Sequence, residues 1–131
     1  MQLRHVILKV DDQDKALAFY TNVLGFKKRS DVHGPRMRRL TVGSNGVELV
    51  LESSSPAPAR KAQQALYDAV FPAAIVSTKD IDRDYERLKR LGVKFRGKPK
   101  QLGTIRFAFF DDTCGNYIVL QSSVSSRSPG R

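Results

Sequence analysis

The stretch HVILKVDDQDKALAFYTNVLGF, residues 5–26, decides the fold, because AAIVSTKDIDRDYERLKRLGVKF, residues 73–95, repeats its plan. Each copy opens with alternating apolar residues of strand type, passes through an aspartate, continues at helical spacing and stops at a glycine. In the first copy residues 3–10 alternate, with His5 on the same face as Ile7, and Asp11 or Asp12 caps a helix. Its apolar positions Ala16, Phe19, Tyr20, Val23 and Leu24 run to Gly25. In the second, Ala74–Ser77 is the strand, Asp80 the cap, and Ile81, Tyr85, Leu88 and Leu91 the buried stripe before Gly92. A repeat of this length constrains fold and site together.

Working outward, each copy closes on a further strand. NGVELVLES, residues 45–53, follows a strand over 36–42 through a Ser-Asn-Gly turn around Asn45, a strong hairpin signal. In its strand Val47, Leu49 and Leu51 lie on one face and Glu48, Val50 and Glu52 on the other. CGNYIVLQS, residues 114–122, follows an apolar strand over Ile105–Asp111, and a short strand is expected over Lys94–Gly97. Between the copies the Ser/Pro-rich segment after Ser53 leads into a helix from about Ala59 to Val70. The reading is α+β: two tandem βαβββ modules, 1–55 and 71–123, joined by a helical connector into one domain over 1–123. Their mixed sheets leave a concave face for a ligand. The last residues, 124–131, are Ser-rich with Pro and Gly and are expected to be disordered.

Composition narrows the partners. The 131 residues suit one compact body, and no charge-free apolar run approaches the length of a membrane span. Without a signal-peptide pattern the expected location is the cytoplasm. A single cysteine, Cys114, leaves no internal disulfide to form. The net charge of +10 raises the question of polyanions or nucleic acid, but the excess is spread along the chain, as in solvated faces. It favours a neutral or anionic small molecule over a cationic one.

The combination HVxLxVxDxxxAxxFYxxxLGF, VELVLE, DIDRDYERLKRLGVKF and FFDDTCGNYIVLQ resembles the vicinal oxygen chelate superfamily, which includes glyoxalase I, the bleomycin-resistance proteins and the extradiol dioxygenases. The resemblance spans roughly residues 3–122. It implies a metal held by a ligand near the start of each copy's first strand and another on each copy's last strand. Such an ion polarises adjacent substrate oxygens or activates dioxygen. Position matches His5 to the first ligand and Glu52 to the second, with Glu48 on the same face as the alternative. Ala73 and Val119 stand where the other two are expected, and neither side chain can bind a metal. Gln121, on Val119's face, offers an amide better suited to hydrogen bonding. His33, in the loop DVHGPR, reads as solvent-facing.

Three functions compete on these residues. One is a small-molecule binder with no metal, or a weakly held Zn, Ni, Mn or Fe ion. Its cavity would use His5, Glu48, Glu52, Val119, Gln121, Phe107 and Phe109. The second is a metal-dependent lyase, isomerase or dioxygenase in which His5 and Glu52 hold the ion and Glu52 takes the substrate proton. The third is a polyanion binder. The resemblance also implies a homodimer in which modules of two chains enclose each site.

Overall fold

The computed structural model describes residues 1–123; the expected disordered tail lies outside them. The first module runs β1 (His5–Val10), α1 (Gln13–Ala18), β2 (Lys27–His33), β3 (Arg38–Ser44) and β4 (Val47–Ser53). The connector is α2 (Ala57–Asp68), and the second module runs β5 (Pro72–Ser77), α3 (Ile81–Arg90), β6 (Lys100–Leu102), β7 (Ile105–Asp111) and β8 (Tyr117–Ser123). These make two mixed four-stranded sheets, ordered β1-β4-β3-β2 and β5-β8-β7-β6, with the β1–β4 and β5–β8 pairs parallel. The α+β architecture with two modules is the one expected. No described helix is long and apolar enough to cross a membrane.

Local chemistry explains the boundaries. Asp12 and Asp80 cap their helices by accepting from the backbone N–H of Lys15 and Arg83, each at 3.0 Å. The β3–β4 hairpin turns through Asn45 at φ 49° and Gly46 at φ 90°, the pair of positive angles that a tight two-residue turn demands. After α1 the chain widens into a π-helical turn over Phe19–Val23 instead of continuing as α-helix to Gly25. Phe26 N–H then reaches back to the Tyr20 carbonyl at 2.9 Å, and the adjacent aromatics Phe19 and Tyr20 are both buried.

Two expectations need correction. Asp31–His33, expected in the loop DVHGPR, end the strand Lys27–His33: KKRSDVH carries little apolar signal because it forms a sheet edge, where charge is tolerated and discourages further pairing. His33 accordingly lies on β2 opposite Arg38, although its side chain is exposed. Lys94–Gly97 forms no strand. Phe95 makes one isolated bridge to Phe110, Gly97 sits at φ 135°, and the edge strand of the second sheet begins only at Lys100, after Pro99.

A single core joins the modules. Leu8 and Val10 of β1, Leu40 and Val42 of β3, and Leu51 of β4 pack in one cluster with Ile81 and Leu88 of α3, Phe110 of β7, and Ile118 and Leu120 of β8. Phe19 and Phe110 carry the contact across, with ring centroids 6.1 Å apart. Since alternate residues of a strand point to opposite faces, burying this set leaves the odd-numbered residues of β1 and β8 on the open faces.

Candidate functional site

On the first sheet, register determines which polar groups meet. His5 lies opposite Glu48, Ile7 opposite Val50 and Lys9 opposite Glu52. His5 Nε2 is 3.3 Å from Glu48 Oε1, and Lys9 Nζ donates to Glu52 Oε1 at 2.8 Å. Glu48, rather than Glu52, is therefore the carboxylate beside His5. Four residues of strand separate His5 from the Glu52 row, roughly 13 Å at the usual rise. Beyond Glu48 the next residue across is Gly43. A methyl group there would sit 2.8 Å from Arg29 Nε and 3.4 Å from Glu48 Cγ, so the glycine leaves room for Arg29 and Glu48 to lean over it. In the sequence Arg29 stands in a run of three cations, and Gly43, in the middle of a strand, is the signal that a long side chain lies over it.

The second sheet presents a different surface. Ile75 and Phe109 flank Val119, and Ser77 and Phe107 flank Gln121. Phe107 and Phe109 meet edge to face at 6.1 Å between centroids. The Gln121 amide makes no hydrogen bond among the described residues, which leaves it available to a ligand. Ala73 falls at an irregularity in the β5–β8 pairing, so the partner of Val119 is Ile75, not Ala73. Phe110 points the other way and is fully buried.

Helix α2 borders these faces without burying any residue of its own. Tyr67 stacks on Tyr117 at 4.6 Å and 13°, and its hydroxyl donates to Asp111, which with burial pushes the phenol well above its ordinary pKa. A hollow of about 410 Å³ lies between Ile7, Lys9, Leu66, Tyr67, Phe71 and Pro72. A larger one, about 490 Å³, opens elsewhere, between Leu24, Phe26, Val42, Leu49, Val76 and Leu120, with Asp84 and Arg87 also in its lining. Neither His5, Glu48 nor Gln121 lines it, so its size does not make it the site of the polar groups.

Cys114 is buried, and burial with the nearby Asp112 carboxylate pushes its thiol up to about 12, a setting for packing rather than reactivity. Tyr20 and Tyr85 are buried, as their helix faces suggested.

The donor set can be tested against the divalent ion that the fold family implies. Among the described residues no three His, Cys, Asp or Glu side chains gather closely enough to hold a metal. His5 and Glu48 supply two donors, Glu52 is occupied by the ammonium of Lys9, and Val119 supplies none. These residues do not fit a resident divalent centre.

Residues 2–120 match the family model of the Glyoxalase/Bleomycin resistance protein/Dioxygenase superfamily, and the chain belongs to it. The protein YurT of Bacillus subtilis (strain 168) is 42% identical over 113 residues, 83% of this chain and 89% of that one. The crystal structure of UcmS2 superimposes with a TM-score of 0.81 at 32% identity, over 92% of this chain and 97% of that one. That of TnmS3, an antibiotic binding protein from Streptomyces sp. CB03234, does so with a TM-score of 0.75 at 29% identity, over 94% and 96%.

Proposed function

We propose that the protein binds a small molecule on the open faces of its sheets without a catalytic metal. His5, Glu48 and Gln121 supply the polar contacts, and Phe107, Phe109 and Val119 the apolar ones. The observation that carries this reading is the division of chemistry: polar groups cluster on the first sheet around the His5–Glu48 pair, while the second sheet sets Ile75, Val119, Phe109 and Phe107 around the Gln121 amide. An apolar wall with a few convergent polar groups is what a ligand site needs. Similarity to an antibiotic binding protein supports binding as the activity.

Calorimetric titration with Ni, Zn, Mn and Fe(II) tests it. We expect no affinity tighter than millimolar and no change on His5→Ala. Stoichiometric micromolar binding abolished by His5→Ala or Glu48→Gln would overturn the metal-free reading and restore the lyase, isomerase or dioxygenase alternative. We infer also that two copies pair so that each site is enclosed. The support is a pair of strand edges, β1 and β5, that expose Ile7 and Ile75.

A further inference from the structure

A third hollow, about 320 Å³, opens at the outer part of the second sheet's free face and is lined by Arg96, Lys98, Lys100, Phe107, Phe109 and Val70. Register fixes its floor. Lys100 lies directly opposite Phe107, and Phe107 directly opposite Gln121, so a group resting on the Phe107 ring has an ammonium on one side and an amide on the other. Arg96 is held over the Tyr117 ring, 5.6 Å from its centroid, with Nη1 donating to the hydroxyl at 3.5 Å. Tyr117 is in turn fixed by its stack on Tyr67.

Among the described residues the three cations lack acidic partners. Neither Lys98 nor Lys100 makes an ion pair or side-chain hydrogen bond among the described residues, and Arg96 makes none to a carboxylate. The contrast lies one residue away: Arg106, on the opposite face of β7, is paired with Asp82. The nearest acid on the open face in register, Asp111, is engaged by the Tyr67 hydroxyl and the Thr113 N–H. Three positive charges beside two phenyl rings form a surface that discriminates by charge as well as shape. The hollow is short and floored by two phenyl rings, which suits a small ligand better than a polyanion, whose backbone would need a continuous basic stripe.

We propose that this hollow is an anion-selecting subsite that takes an aromatic carboxylate, sulfonate or comparable organic acid. The ligand's ring lies against Phe107 and Phe109, and its acid group against Lys98, Lys100 and Arg96. The proposal rests on the small-molecule-binding reading above and names the ligand class that reading leaves open.

Two fluorescent probes that differ by one sulfonate group test it: anilinonaphthalene sulfonate and its uncharged parent, N-phenylnaphthylamine. The protein should bind the sulfonate about tenfold more tightly than the parent, the preference worth one good charge-assisted contact. That preference should disappear in the Lys98→Gln, Lys100→Gln double variant and shrink with added salt, while affinity for the parent compound stays. Phe107→Ala should weaken both. Lys79→Gln, an exposed cation elsewhere, should leave sulfonate affinity unchanged and so separate a local site from net charge. Equal affinity for the two probes, or equal losses in the double variant and in Lys79→Gln, would overturn the subsite while leaving small-molecule binding standing. Failure of both probes to bind would overturn both. A single-stranded oligonucleotide that competes with the sulfonate at equal affinity would replace the organic acid with a polyanion.

Discussion

Asp112 is fully buried, yet its carboxylate accepts four hydrogen bonds among the described residues. Its Oδ1 accepts from the backbone N–H of Cys114 and Asn116 at 2.7 and 3.1 Å, and its Oδ2 from the Tyr20 hydroxyl and Asn116 Nδ2 at 2.7 and 2.9 Å. Burial nevertheless outweighs these donors and raises its pKa, and burial beside Asp112 raises that of Tyr20 as well. The pair ties the first module's helix region to the second module's turn across 92 residues of sequence. Tyr20→Phe removes one donor from a carboxylate that cannot reach water, and should lower stability by about 1–3 kcal/mol. In urea this should appear as a lower midpoint at unchanged slope. A second carboxylate predicts the acid limb of stability. Asp31 accepts from Arg38 Nε and Nη2, both at 2.8 Å, and this fork holds its pKa below the ordinary 3.8. A carboxylate with a lowered folded-state pKa contributes fully above its unfolded value, and its contribution is lost as pH falls through the depressed one. Asp31→Asn should therefore lower the melting temperature near neutrality and flatten its fall below about pH 4, as followed by circular dichroism.

At the scale of elements, α2 is the weakest attachment. It buries no residue, and its hold depends on the Tyr67 stack and on the Gln63 amide, which donates to the carbonyls of Lys9 and Cys114 at 3.0 and 3.1 Å. Gly115 makes that possible. Its φ is 96°, and a Cβ there would lie 2.7 Å from Gln63 Nε2. Gly115→Ala should cost about 1–2 kcal/mol for the left-handed conformation and should also displace Gln63. Hydrogen exchange should then accelerate in α2 while β8 and β4 stay protected, and Gln63→Ala should reproduce the effect on α2 without the backbone strain. Legibility in the sequence follows the same physics. The strands β1, β4 and β7 and helix α3 announce themselves because one face is buried more deeply than the other, and β8 because YIVL is a continuous apolar run buried on both faces. β2 and β6 do not, because charged or very short edge strands carry no such contrast. The site was half legible: the shared face of His5, Glu48 and Glu52 follows from period two, but choosing between the glutamates needs the β1–β4 register. That register is set by a long-range parallel pairing that no local pattern encodes. Arg96, Lys98 and Lys100 read as a solvated run until the sheet placed Lys100 across from Phe107.

For the whole molecule, the question is what covers the remaining edges. Each sheet has two edge strands, and they are treated differently. β2 is charged along its length and β6 has only three residues, the usual protections against further pairing. The other two edges, β1 with HVILKV and β5 with PAAIVS, are longer than β6 and less charged than β2, although the Gln63 and Asn116 amides reach the Lys9 carbonyl of β1 and Pro72 opens β5. Ile7 and Ile75 are each 60% exposed, and beside them Phe71 is 61% and Leu66 52% exposed. Exposed apolar side chains gathered along these two edges would suit the pairing of two copies proposed above. The same edges carry the start of each open face, so a second copy seated there would bring one chain's His5–Glu48 pair towards the other's Phe109 and Val119. Because such an interface uses one patch on both partners, closure at two chains is expected. Sedimentation velocity should give a species of twice the 14.7 kDa chain mass. Phe71→Glu should shift it to monomer, because a carboxylate at the centre of an apolar contact is desolvated without a partner. Ligand affinity should fall with the loss of the dimer, since each open face would then stay in water. A wild-type protein that sediments only as monomer would place both faces of the site within one chain.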